Sequence, residues 1–184
     1  MSKVLLVNGS PHISGNTSEA LNIVELQLHK AGISTEWFQI GGSPVRGCQG
    51  CSRCVETHRC VYKDDRCNEL IEKMLDADGV IIGSPVYFAG INGALSALLD
   101  RTFFAASNYG QLFRGKPAAA VVSVWREGGS TAADRLNRYF TFAQMPIISS
   151  DYWNVYMGKN DSYGKAVLET LGKNFADAMR MIYE

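Results

Sequence analysis

The sequence predicts an α/β fold: a doubly wound, five-stranded parallel sheet with helices on both faces. Three observations carry this reading. Short apolar runs, such as Val4-Leu-Leu-Val7 and Gly79-Val-Ile-Ile82, are long enough for buried strands and too short for buried helices. Segments with helical periodicity lie between them, and strands alternating with helices pack as βαβ units. Several runs end in clusters of Gly, Ser, Pro and Asn, the residues that turn a chain. At 184 residues the chain reads as a single domain, 1–184, with a Cys-rich insertion at about 41–64.

The elements follow in order. Residues 4–7 form the first buried strand, and 18–31 a helix ended by Gly32. Residues 35–40 form the second strand. The Gly- and Cys-rich connection comes next, and connections of that length are usually functional or disordered. A helix covers 65–76. The third strand, 79–82, is stopped by Gly83-Ser84-Pro85, and a helix covers 92–105. The fourth strand, 118–124, follows Pro117. A helix at 131–142 follows Gly128-Gly129, a short fifth strand covers 146–149, and the last helix covers 163–183. There is no internal repeat and no low-complexity segment.

Eighteen basic and eighteen acidic residues cancel, which argues against a nucleic-acid or anionic-membrane partner. No apolar run reaches membrane-span length and no signal peptide opens the chain, so a cytoplasmic location is expected. In that compartment five Cys read as thiols or ligands before they read as a disulfide framework.

The first strand runs into Asn8-Gly9-Ser10-Pro11-His12-Ile13-Ser14-Gly15-Asn16-Thr17-Ser18, a loop of small polar residues that opens a helix. Ser10, His12, Asn16, Thr17 and Ser18 are the candidate phosphate contacts, since hydroxyls and backbone N–H groups converge there on a positive helix end. The loop has no Lys or Arg, which suits a terminal monophosphate better than a triphosphate with magnesium. The alternative is an ordinary strand–turn–helix corner, with Asn16 and Glu19 as a variant capping box. Two further strand ends face the same crevice of an open α/β sheet. Pro85, Val86, Tyr87 and Phe88 offer apolar and aromatic walls unless they are core. Trp125, Arg126, Gly128 and Gly129 offer an indole, a cation and Gly-rich backbone. Together they fit a flat aromatic ring with a phosphate tail. Two motifs fail. Gly110-Gln-Leu-Phe-Arg-Gly115-Lys116-Pro117 nearly matches a P-loop, but Pro117 replaces the metal-binding hydroxyl. No G-x-G-x-x-G follows the first strand.

These residues resemble the flavodoxin-like NAD(P)H-dependent FMN reductases. The marks are Asn8-Gly9-Ser10-Pro11 with Gly15-Asn16-Thr17, Ala77-Asp78-Gly79, Gly83-Ser84-Pro85-Val86-Tyr87-Phe88 and Leu99-Asp100-Arg101. The resemblance implies an FMN phosphate on Ser10, Asn16 and Thr17, with the ring against residues 85–88 and the 125–129 loop. It also implies a homodimer or homotetramer in which a neighbouring subunit completes the cleft. One departure is His12, where many relatives place Arg. Asp100-Arg101 is expected to close a helix and make a structural ion pair.

Cys48, Cys51, Cys54 and Cys60 form C-x2-C-x2-C-x5-C, with Cys67 beyond. Three thiols at this spacing reach the corners of one cube, as in ferredoxin-type runs. Zinc sites more often use separated C-x2-C pairs. The spacing is similar to that of the iron–sulfur flavoproteins, which implies a [4Fe-4S] cluster on these four cysteines; inert thiols and zinc stay open beside it. Cys67 is expected to pack on a helix.

Two functions follow. One is an oxidoreductase passing electrons from NAD(P)H through FMN to a small acceptor such as a quinone or flavin. The other is an electron-transfer protein with FMN and a cluster, reduced by ferredoxin. Nothing in the sequence speaks for a non-redox regulator.

Overall fold

A computed structural model describes residues 2–108 and 110–183 of the chain. The strands β1 (Lys3–Asn8), β2 (Ser34–Gln39), β3 (Gly79–Tyr87), β5 (Ala118–Ser123) and β6 (Val155–Tyr156) form one parallel sheet in the order β2-β1-β3-β5-β6. A two-residue strand, β4 (Gly90–Ile91), folds back antiparallel on the end of β3. The helices are α1 (Asn16–Lys30), α2 (Cys67–Asp76), α3 (Gly93–Ser107), α4 (Gly129–Phe142) and α5 (Ser162–Tyr183).

The central strands are apolar through their middles because both faces are covered. Along β1, Val4 and Leu6 pack with α1 and α5, while Leu5 and Val7 pack with α2, α3 and α4. β3 and β5 alternate the same way: Ile81, Ala119 and Val121 face α1 and α5, and Val80, Ile82, Ala118, Ala120 and Val122 face the other layer. This period of two is the pleat of the strand. Each fully buried Val, Leu or Ile contributes about 1.5–3 kcal/mol.

The fifth strand differs from the sequence expectation. Residues 146–149 make only a bridge between Ile147 and Ala118, with Ala118 N–H on Pro146 O and Ile148 N–H on Ala118 O, both at 2.8 Å. The chain then leaves the sheet and returns as β6, pairing Val155 with Val122 and Tyr156 with Ser123. Asn154 spans the break, its side-chain amide donating to Ala120 O at 2.9 Å. The edge strand is therefore in two pieces, each too short to carry a clear sequence signal.

The chain goes from β1 outward to β2 and then crosses to β3 on the other side. Strand order thus reverses between β1 and β3, the place where open α/β sheets bind ligands. The register puts Asn8 beside Gly83 and Pro85 beside Ser123, so the loops after β1, β3 and β5 leave one edge of the sheet together.

Gly9 is held at that edge. Its N–H donates to Gly83 O at 2.8 Å, and a β-carbon there would lie 2.7 Å from the same oxygen and 2.4 Å from Leu95 Cδ2. Leu95 can rotate away, but a backbone carbonyl in a central strand cannot. Gly9→Ala is therefore expected to destabilise the fold by about 1–3 kcal/mol through overpacking, read as a lower urea midpoint at unchanged m. An unchanged midpoint would contradict this close approach.

Candidate functional site

Two side chains that sequence reasoning did not single out fix the loop after β1. Asn8 is fully buried. Its side-chain oxygen accepts the Ser10 N–H at 3.0 Å, and its amide donates to Gln39 Oε1 at 2.6 Å and His12 O at 3.2 Å. Gln39 in turn donates to Ser10 O at 2.6 Å. Ser10 Oγ accepts the His12 N–H at 3.1 Å, and the imidazole of His12 is exposed. Asn8 closes β1 and Gln39 closes β2, so these bonds form only when the two strands pair, and the sequence of the loop does not show them.

Helix α1 begins differently from the expected Asn16–Glu19 box. Gly15 is the N-cap; its N–H donates to Ser18 Oγ at 2.8 Å, and that hydroxyl donates back to Gly15 O at 2.9 Å. Thr17 is buried with its hydroxyl 2.6 Å from Ser123 Oγ. The Ser18 hydroxyl is thus committed to the protein, while the Thr17–Ser123 hydroxyl pair uses one of its two protons and leaves the other free to donate. The N–H groups of Asn16, Thr17 and Ser18 have no partner among the described residues, and the Ser10 hydroxyl proton has no acceptor there. Unpaired first-turn amides at the positive end of a 15-residue helix form an anion seat. One basic and one acidic residue, Lys159 and Glu19, line a depression beside it together with Ser14, Asn16 and Ser18. Lys159 stands far along the chain from the loop, so no local motif reveals it.

At the second edge loop, β3 continues to Tyr87 and turns through Phe88 (φ 49°) and Ala89 (φ 59°) into β4. Two consecutive left-handed residues make a hairpin turn that usually takes Asn-Gly. With side chains, each costs about 1–2 kcal/mol. The turn is held from beneath. Ser84 Oγ accepts the Asn92 N–H at 3.1 Å, and Asn92 caps α3 by accepting from the Ala94 and Leu95 amides. From the third edge loop, Gly128 (φ 85°) caps α4 so close to the turn that a β-carbon on it would lie 2.5 Å from Ala89 Cα. The structure therefore brings Val86 and Ala89 together with Gly128, and Gly129 is buried behind them. Pro85 is half-buried and Tyr87 is 45% exposed. Phe88 and Trp125 stand fully in solvent, and Arg126 is exposed beside Trp125.

Residues 40–66 contain no helix or strand. Arg101 of α3 anchors them, with its side chain only 1% exposed. Nη1 binds the carboxylate of Asp65, itself 5% exposed, and donates to Arg46 O at 3.1 Å. Nε and Nη2 each donate to Cys60 Sγ at 3.2 Å, and Nη2 also reaches Tyr62 O. Asp65 further accepts the N–H groups of Arg46 and Cys67. Burial pushes the Asp65 carboxyl up, but these donors outweigh it and hold it below the usual range. The side-chain amide of Asn68 pairs with both backbone groups of Cys60, at 2.7 and 2.9 Å. The expected Asp100-Arg101 ion pairing thus takes another form. Helix α3 runs on to Ser107, Asp100 pairs with Arg135 at 3.1 Å, and Arg101 turns inward to Asp65.

Cys48, Cys51, Cys54 and Cys60 line one cavity of about 20 Å³, closed by Arg101, Phe104 and Ala105. Cys54 is buried, which pushes its thiol up. Cys48 and Cys51 are exposed on the rim, and no atom lies within 4 Å of where a side chain at Gly47 or Gly50 would point. Among the described residues, no three His, Cys, Asp or Glu groups stand close enough to hold one metal ion. In residue type the four thiols match the ligands of an iron–sulfur cluster, and all four line this one cavity, Cys54 buried, Cys60 half-buried, and Cys48 and Cys51 exposed. Cys67 lies outside the cavity. It is the first residue of α2, fully buried, with Sγ 3.7 Å from Thr102 Oγ1. His58 packs beside Gly110, and its Nδ1 has no partner among the described residues. Lys116, from the failed P-loop match, donates to Leu75 O at 2.8 Å and also reaches Ala77 O, closing the end of α2.

Sheet order, edge loops and anion seat define a flavodoxin-like flavoprotein. The chain belongs to the NADPH-dependent FMN reductase family, whose model matches residues 2–160, and the family makes it an FMN-dependent oxidoreductase. It is 32% identical to an iron–sulfur flavoprotein of Methanocaldococcus jannaschii over 98% of both chains. It is 33% identical to one from Archaeoglobus fulgidus over 71% of this chain and 64% of that one. One from Methanosarcina thermophila is 25% identical over 98% and 96%. Among solved structures, a flavone reductase superposes with a TM-score of 0.73 at 16% identity over 98% of this chain and 64% of that one. An archaeal flavodoxin gives 0.66 at 13% over 97% and 99%. No helix among the described residues is long and apolar enough to cross a membrane.

Burial pushes the Cys67 thiol to about 12, against about 8.5 in an unfolded chain. The folded state then keeps a proton that the unfolded state loses. The contribution is full below about pH 8.5 and falls as pH rises toward 12, by up to about 1.4 kcal/mol per unit. Urea unfolding at pH 7.5 and 9.5 under reducing conditions is expected to show a loss about 1 kcal/mol larger in wild type than in Cys67→Ala. Equal losses would contradict the buried neutral thiol.

Proposed function

We propose that this chain is an iron–sulfur flavoprotein that passes electrons between a protein donor and a small acceptor through FMN and a [4Fe-4S] cluster. The observation that carries the reading is the convergence of Cys48, Cys51, Cys54 and Cys60 on one cavity, in a chain similar to archaeal proteins that bear that name. FMN exchanges one or two electrons at its ring, and the cluster carries one at a time.

The protein's part is to bind and orient. The Ser10 hydroxyl and the N–H groups of Asn16, Thr17 and Ser18 would hold the FMN phosphate, with Lys159 supplying the charge that His12 does not. Pro85, Val86 and the Phe88–Ala89 turn would wall the ring on one side, and the 125–129 loop on the other. Thr17 would contribute its amide, its hydroxyl being paired with that of Ser123. The exposed rings of Phe88 and Trp125 are large apolar groups beside the crevice. A second subunit covering them would complete the pocket, so a homodimer or homotetramer is part of the reading, as is a cytoplasmic location where the thiols stay reduced. Ferredoxin is the proposed donor.

The second reading is direct reduction by NADH or NADPH, and the family's description favours it. Anaerobic mixing separates the two. FMN absorbance is expected to bleach with reduced ferredoxin and to persist with NADH or NADPH; rapid bleaching by either nucleotide would overturn the first reading. Independently, Ser10→Ala is expected to weaken FMN binding by about 1–3 kcal/mol, since a phosphate oxygen loses its donor. An unchanged Kd would remove this loop from the site.

A further inference from the structure

We propose that Arg101 is the positioning residue of the cysteine cavity: its guanidinium fixes Cys60 as the rigid corner of the cluster site and, through two N–H···S hydrogen bonds, raises the cluster's reduction potential. The inference rests on the cluster reading above and concerns residues of this chain alone.

The four cysteines are not equivalent. Cys60 Sγ receives Nε and Nη2 of one guanidinium at 3.2 Å each, while its backbone N–H and C=O are both held by Asn68. Among the described residues no other side chain donates to the sulfur of Cys48, Cys51 or Cys54. Arg101 has no freedom to leave. Its third nitrogen, Nη1, is tied to the buried Asp65 carboxylate and to Arg46 O. Asp65 therefore takes the edge of the fork that does not touch sulfur. A fork that holds a carboxylate along one edge and a sulfur along the other is a task for Arg; a Lys ammonium has three rotatable donors and no plane.

The electrical consequence follows from geometry. Reducing a cluster by one electron adds negative charge that spreads onto its ligand sulfurs. Donors already aimed at a ligand sulfur stabilise the reduced form more than the oxidised one and so raise the potential. Asp65 offsets the guanidinium's charge at longer range, but it lies behind Arg101 as seen from the sulfur. The local effect is that of two hydrogen bonds.

The test uses the full chain, purified and reconstituted anaerobically with ferrous iron and sulfide. The proteins are wild type, Arg101→Lys, and the double variant Arg101→Gln/Asp65→Asn, which removes both buried charges so that neither is left alone. Iron per chain, FMN per chain and the cluster midpoint potential are measured, the last by dithionite titration followed by electron paramagnetic resonance. About four irons are expected in wild type. In the double variant, one-electron reduction of the cluster is expected to be at least tenfold less favourable, about 59 mV more negative, with a smaller shift in Arg101→Lys and the FMN potential unmoved. Loss of iron from the double variant with FMN retained, rescued in Arg101→Lys, would also support Arg101 as the fixer of Cys60. Four irons at an unchanged potential in both variants would overturn the proposal while leaving the cluster in place. A loss of FMN and iron together would overturn it in favour of a merely structural Arg101. No iron in wild type would remove the cluster reading and this inference with it.

Discussion

The ion pair between Asp65 and Arg101 is the interaction on which the distinctive part of this molecule depends. Residues 40–66 form no helix or strand, yet they place four cysteines around one cavity. A single guanidinium in α3 gathers the segment, reaching a carboxylate, a thiol and two backbone carbonyls, and Asn68 holds the backbone of Cys60 beside it. A buried pair of this kind adds little net stability compared with apolar packing, because both charges must leave water. Removing one partner is costly, about 3–5 kcal/mol, because the other is left buried and unpaired. Its contribution is therefore specificity of placement. Loop residues 46, 60, 62 and 65 together satisfy every guanidinium nitrogen of Arg101.

The two candidate redox sites are arranged along α3. Its first turn lies beneath the loop after β1, where Leu95 crowds Gly9. Arg101, Phe104 and Ala105 lie eight to twelve residues beyond Gly93. At 1.5 Å per residue the thiol cavity sits about 12–18 Å along the helix from the crevice at the sheet edge. The Asn92 cap and the Arg101 anchor thus belong to one rigid rod, and the same rod sets the geometry of both sites.

Much of this was legible in the sequence. The apolar runs at β1, β3 and β5 announced a two-sided sheet, because strands covered on both faces carry no polar alternation. The loops at their ends were legible from Gly, Ser, Pro and Asn. The fifth strand was not, since residues 146–149 and 155–156 share its role in two fragments, neither long enough to show a period. The hydrogen bonds that Asn8 and Gln39 make to the loop after β1 were not legible, because they form only when β1 and β2 pair. The partner of the Thr17 hydroxyl could not be read locally: it is Ser123, which stands 106 residues away. Arg101 was read as part of a structural ion pair; only the fold shows that its partner is Asp65 and brings Cys60 to it, 41 residues back along the chain.

The measurement that tests the central claim most directly is the ratio of iron and acid-labile sulfide to FMN in protein purified without exposure to air. The account predicts about four irons and four sulfides for each FMN and each chain, as one cubane cluster requires. Stoichiometric FMN with neither iron nor sulfide, before and after reconstitution, would contradict it.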